Sequence, residues 1–253
     1  MLINAILTGV RTGDWKTLII SVLLMTLSSL IALCAHEAAH GYMAYKMGDH
    51  TAMNLGRVTL NPAKHLDLMG TLAMLVFGFG WAKPVPIHAR NFKNPKWGMA
   101  LTALAGPATN LILGSIGAIL CSTVVFFANE IILIYYPTVY NLPYFYEIIY
   151  IVALFLSTFS LINFIYAFFN LIPLPPFDGS RFFFTFLPPK AYFGIMKYEK
   201  FIMIGVFVTL VITSRFFDFS PFSWLAEKVF DAISGGVDEL LTLIYNTILN
   251  GLG

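Results

Sequence analysis

Charged positions along this chain are confined to short stretches between long apolar blocks. Residues 17–45 hold one acid, Glu37, and two histidines, His36 and His40. Residues 98–129 and 148–177 hold no Lys, Arg, Asp or Glu at all. A helix needs about 20 apolar residues to cross a bilayer, so each block predicts a spanning helix. Residues 201–214 predict a weaker span, extended by Phe216 and Phe217. The apolar tail 236–252 is short, and could lie in the membrane interface instead. Residues 55–60, with Arg-Val-Thr-Leu between a Gly and Asn-Pro, predict a strand. Residues 68–80 form an apolar run too short to span. They predict a segment that dips into the membrane and returns, or packs over a site, with Gly78, Gly80, Pro84 and Pro86 allowing sharp turns. The expected architecture is an α-helical polytopic membrane protein. It has about four to six membrane helices, a small cytoplasmic-side β element and a re-entrant segment.

Composition agrees with lipid as the solvent. The chain is 58% hydrophobic and 11% charged, where a soluble domain carries about 25% charged residues. No polar linker divides it, so a single membrane-embedded domain over 1–253 is expected. Its core covers about 17–190, and a C-terminal span and amphipathic helix follow over 191–253. A net charge of +2 gives no sign of nucleic acid. The distribution of charge says more. Segment 46–96 carries Lys46, Arg57, Lys64, Lys83, Arg90, Lys93 and Lys96, whereas 129–147 carries Glu130 and Glu147 and no cation. The positive-inside rule puts the first in the cytoplasm and the second outside. Arg181, Lys190, Lys197 and Lys200 then also fall inside, and the N-terminus outside. The first apolar run is too long for a cleaved signal and lacks a small-residue cleavage pattern. Cys34 and Cys121 lie within apolar blocks and read as packing residues.

The first chemical signal is Ala35-His36-Glu37-Ala38-Ala39-His40-Gly41, an H-E-x-x-H pattern. On a helix, His36 and His40 project from one face a turn apart, and two imidazoles so placed can bind one Zn²⁺. Glu37 beside them can take a proton from water and pass it to a leaving amine. Ionisable residues within a span are costly and therefore usually functional. Small residues around the motif, from Ala32 to Ala44, allow close approach of other helices. Gly48 marks the helix end, with Lys46 in its last turn.

A catalytic zinc needs a third protein ligand and an open position. The candidate lies in Asn170-Leu171-Ile172-Pro173-Leu174-Pro175-Pro176-Phe177-Asp178-Gly179. Its prolines end the third span near the cytoplasmic side. Asp178 at that break reads either as the third ligand or as an ordinary turn. Topology favours the ligand, because both motifs lie towards the cytoplasmic ends of their spans.

With both motifs in hand, the chain resembles the site-2 protease family of intramembrane zinc metalloproteases (peptidase M50). The signatures are His36 to His40, and Asn170, Pro173 and Pro175 leading to Asp178 and Gly179. Gly56 to Pro62, Gly80 to Pro86 and Ala105 to Asn110 look like its compact branch, without a PDZ or CBS domain. The resemblance implies one zinc per chain on His36, His40 and Asp178, with Glu37 as catalytic acid/base. It implies a membrane protein or peptide as substrate, cut within or beside its transmembrane helix. A prokaryotic inner-membrane location follows, with the active site towards the cytoplasm. The substrate must unwind, and residues 55–60 either offer it an edge or pack in a small structural sheet. Asn170 and Asn110 either contact the unwound peptide or its transition-state oxygen, or bond between helices. His50, His65 and His88 read as interface or surface residues, with a ligand role less favoured. Trp81 and Trp97 read as interface anchors. A transporter carrying ions on these groups is the main competing class, but no internal repeat supports it.

Overall fold

The structure, a computed structural model, describes residues 13–67, 70, 83–132, 143–216 and 220–251. Helix α1 (Trp15–Met47) carries the first apolar block. The Asp14 carboxylate accepts the Thr17 N–H at 3.1 Å at its start, the usual way to satisfy a free helical donor. Gly48 ends it at φ 113°, a left-handed conformation that disfavours a side chain. Lys46 lies in the last turn, as expected. A short helix α2 (Thr51–Asn54) and single turns at Pro62–Lys64 and Ala89–Asn91 follow. Helix α3 (Pro95–Phe126) opens with Pro95 and with Asn94 accepting the Trp97 N–H at 3.2 Å. It runs through Pro107 and widens into a looser turn, Phe127–Ile132. Then come α4 (Pro143–Asn170), α5 (Asp178–Phe183), a tight turn Phe184–Phe186, α6 (Pro189–Met196), α7 (Glu199–Phe216) and α8 (Pro221–Gly251).

Helices α1, α3 and α4 are long and apolar enough to cross a membrane. They pack on one another through small and polar residues, as helices in lipid do when the tails offer no hydrophobic gain. Ser160 Oγ donates to the Gly114 carbonyl at 2.6 Å, and Asn110 Nδ2 donates to Asn163 Oδ1 at 2.8 Å. Cys34 and Cys121 are buried and unpaired with each other. Ile19, Leu23, Leu27 and Ile31, four apart on α1, face outwards. Such an apolar stripe suits lipid and not water. Lys16 pairs with Glu147, so α1 and α4 begin at the same end of the bundle.

The C-terminal part was expected to hold a weak span over 201–214 and an apolar tail that could lie in the interface. In the structure α7 makes only sparse contacts with other described elements, while α8 packs along both α3 and α4. Phe222 meets Phe169 at 5.5 Å between ring centres, near the end of α4. Ser122 Oγ donates to the Ser234 carbonyl at 3.1 Å and also pairs with Asp238. Phe126 meets Tyr245 at 6.4 Å, at the far end of α3. One face of α8 therefore follows the bundle for its full length. Mean apolarity misses this because the opposite face carries Glu227, Lys228, Asp231 and Glu239.

The β element is a second difference, since among the described residues no sheet forms. Residues 55–60 are turn and coil: Gly56 bends them at φ 62°, and the Asn61 side chain accepts the Ala63 N–H at 3.0 Å. Arg57 replaces a strand ladder with side-chain bonds, donating through Nη2 to the carbonyls of Lys83 (2.7 Å) and Pro84 (3.2 Å). The expected re-entrant segment 68–80 and Trp81 fall outside the described residues, apart from Gly70.

Candidate metal centre

Three helices bring His36, His40 and Asp178 together. The histidines share one face of α1, and Asp178 opens α5 just after the proline-broken end of α4. Gly179 makes that approach possible, because a Cβ there would collide with the Leu171 carbonyl. His36 Nε2 lies 3.0 Å from His40 Nε2; Asp178 Oδ2 lies 3.0 Å from the first and 3.1 Å from the second. Among the described residues no other group of His, Cys, Asp and Glu converges this way.

The opposite side of each imidazole decides what this triangle can hold. His40 Nδ1 lies 2.7 Å from the Thr102 carbonyl, which only accepts, so Nδ1 carries the proton. His36 Nδ1 lies 2.6 Å from Asn110 Oδ1. The Asn110 amide orientation follows from its other end, where Nδ2 donates to the carbonyl of Ala32 (3.2 Å) and to Asn163 Oδ1. When the rings are neutral, both present Nε2 lone pairs to each other and to a carboxylate oxygen. Three acceptors with no donor between them are incompatible with hydrogen bonding and suited to a cation. Edges of 3.0 and 3.1 Å come close to the face of a zinc ligand tetrahedron, about 3.3 Å on edge. Two nitrogens and one oxygen, with a fourth side open, form the donor set of catalytic zinc. Gly106 of α3 clears that space: a Cβ there would sit 2.5 Å from His40 Nε2 and 2.6 Å from His36 Nε2.

A cavity of about 200 Å³ opens on the triangle, lined by Glu37, Pro84, Val85, Ile87, Met99, Ala103, Asn170, Pro176 and Arg181 besides the metal-binding residues. Glu37 Oε2 accepts the Val85 N–H at 3.0 Å. Pro84 and Pro86 have no N–H, so Val85 is the only backbone donor in that triplet. The coil stretch 83–88, through Pro84, Val85 and Ile87, borders the site, whereas 55–60 does not line it.

The sequence-predicted site residues sort as follows. His36, Glu37, His40, Asp178 and Asn170 line the cavity. Asn170 Nδ2 donates to the Tyr166 carbonyl at 3.0 Å. Both amide atoms of Asn110 are engaged and the residue is fully buried. The interhelical bond, one of its two open readings, is therefore the one formed. His50 stacks edge-on to Tyr45, and His88 uses its N–H on Asp49. His65 is fully buried, not a surface residue, with Nε2–H donating to the Thr59 carbonyl at 2.7 Å. Trp97 is exposed and meets Phe186 edge-on.

Sequence reasoning passed over Thr102, Asn163 and Asp49, and gave no role to Val85 and Gly106 beyond their place in stretches that carry the family resemblance. Asp49 had one visible signal, a carboxylate directly behind a helix-ending glycine in a basic segment. It is fully buried. Its Oδ1 accepts from Asn91 Nδ2 (2.8 Å) and from the Thr51 hydroxyl and N–H, and its Oδ2 from the His88 N–H (2.7 Å). This clamp ties the end of α1 to the stretch bordering the cavity. Burial works to raise the carboxyl pKa, but these donors outweigh it and hold it down at about 2. The folded value lies below the unfolded one of about 3.9, so the contribution is complete above about pH 4 and is lost as pH falls through the folded value. Asp49→Asn turns an acceptor into a donor facing the His88 N–H and is expected to cost about 2 kcal/mol at neutral pH. Thermal unfolding at pH 7 and at pH 3 checks this. The gap to wild type should narrow at the lower pH, and equal stability at pH 7 would show that the clamp contributes nothing.

Comparison with known proteins places this geometry in a family. The family model described as Peptidase family M50 matches residues 23–214. A protein named "Putative zinc metalloprotease YwhC" from Bacillus subtilis (strain 168) is 37% identical over 189 residues, 75% of this chain and 80% of its own. "Putative zinc metalloprotease Rip2" from Mycolicibacterium smegmatis is 35% identical over 92 residues, 33% of this chain and 34% of its own. No solved structure matches the chain. The matched region contains both halves of the metal triangle and Glu37, and the chain belongs to peptidase family M50, the site-2 type of zinc metalloprotease.

Proposed function

We propose that this protein is an intramembrane endopeptidase that hydrolyses a peptide bond within or beside a transmembrane segment of another membrane protein. The observation that carries the reading is the triangle of three acceptors opening, with Glu37, on a cavity between apolar helices. His36, His40 and Asp178 would hold one zinc ion. Bound zinc supplies a positive charge that brings the ionisation of water close to neutral pH and polarises a carbonyl. The chain's own groups do the rest. Glu37 takes the proton of the attacking water on its carboxylate and returns it to the leaving nitrogen. The Val85 N–H holds that carboxylate in place during both transfers. Thr102 and Asn110 accept the Nδ1 protons, so that each neutral imidazole offers its Nε2 lone pair to the metal. Asn170 and the stretch 83–88 flank the cavity and offer polar contacts to an unwound peptide.

The same reading points the cavity to the cytoplasm of a prokaryotic cell. Basic residues between α1 and α3, and the shared face of Lys16 and Glu147, support that orientation. Purified protein in detergent or liposomes, mixed with a single-span model substrate, tests the proposal. Cleavage within or next to the span is expected, with loss of at least about 100-fold on zinc removal by a chelator and recovery on zinc addition. Undiminished cleavage by protein shown to contain no metal would refute it.

A further inference from the structure

Arg181 stands in the cavity wall, three residues after Asp178 on the same short helix. It is the one Lys or Arg among the lining residues. Glu37 and Asp178 line the same cavity, yet the Arg181 guanidinium makes no ion pair or hydrogen bond with them or with any other described residue. Asp178 is turned to the imidazoles, and Glu37 to the Val85 N–H.

The backbone under Arg181 is held firmly. Ser180 Oγ donates to the Phe177 carbonyl at 2.7 Å. Phe177 is buried against Phe169, with ring centres 4.5 Å apart, and Phe184 is buried as well. A fixed anchor therefore presents a planar fork of donors, with no partner among the described residues, at the mouth of the site. Val85, Ile87 and Met99 make the adjoining wall apolar, and a charge pair formed beside such a wall is less screened than in open water. A guanidinium matches a carboxylate through two parallel N–H···O bonds.

We infer that Arg181 is a specificity-determining residue that binds a carboxylate of the peptide substrate near the scissile bond, either an acidic side chain or a chain-terminal carboxylate. The inference rests on the hydrolytic reading above. It predicts a preference for one charge at one substrate position, whereas an arginine that only reaches to the membrane surface predicts none.

The test uses a single-span model substrate with Glu, Gln or Lys placed in turn at each position around the cleavage site, and with a free or amidated C-terminus. Wild type is expected to favour Glu over Gln at one position, or the free terminus over the amide, by roughly tenfold or more in kcat/KM. Arg181→Gln should abolish that ratio, and Arg181→Glu should invert it in favour of Lys. The position-dependent and the terminal ratios separate the two sources of the carboxylate. In the Glu37→Gln background, which binds without cutting, fluorescence anisotropy with labelled Glu and Gln peptides should show the same loss of discrimination on Arg181→Gln. Cleavage by wild type with rankings that Arg181→Gln and Arg181→Glu leave unaltered would overturn the inference alone. A wild type that cuts no substrate in any arm would overturn the hydrolytic reading with it.

Discussion

Glu37→Gln is expected to keep its zinc while losing cleavage by roughly 10³-fold, the upper part of what a positioned acid/base contributes. The replacement has the same size, and its amide oxygen can still accept the Val85 N–H that Glu37 accepts at 3.0 Å. None of the three converging acceptors is altered. What is lost is a group that can take a proton from water and give it to an amine. Metal analysis of the purified variant, alongside cleavage of a single-span substrate, separates the two properties. Cleavage at the wild-type rate would remove Glu37 from the mechanism. Loss of zinc as well would mean that it supports the metal rather than the proton transfer.

Asp178→Ala is expected to fail at the earlier step, by losing the metal. Changing a group that merely orients a ligand costs about 10- to 100-fold in affinity; removing a ligand should cost more. The effect should also be local. Asp178 makes no capping bond at the start of α5, and among the described residues its side chain bonds the two imidazoles alone. Wild type should gain thermal stability as zinc is added, because a ligand bound only by the folded state shifts unfolding by mass action. The variant should show little such gain. A zinc-dependent rise as large as in wild type would place the third ligand elsewhere.

Much of the site was legible in the chain itself, for reasons of short range. His36, Glu37 and His40 lie within one turn and a half of helix, where spacing alone decides that two imidazoles share a face. The break at Pro173–Pro176 follows from missing N–H groups and ring clashes, which are properties of those residues wherever they occur. The end of α1 at Gly48 is likewise local. Apolar length was a good guide to α1, α3 and α4. It says less about α8, which packs one face on α3 and α4 and carries Glu227, Lys228, Asp231 and Glu239 at exposed positions, because an average over residues blurs the two.

What composition and spacing established was a membrane protein with a two-histidine pair, an adjacent acid and a proline-ended helix carrying an aspartate. Tertiary structure alone decided the rest. Nothing local says that the Thr102 carbonyl and Asn110 will set the imidazole tautomers, that Gly106 will leave room above the triangle, or that Val85 will hold Glu37. Nor could the pattern 55–60 foresee that Arg57 would join the stretch 83–84 through its side chain instead of a ladder. These contacts link residues far apart in the chain. They depend on which faces of the helices meet and at what depth, and packing decides that only when the helices assemble in the bilayer.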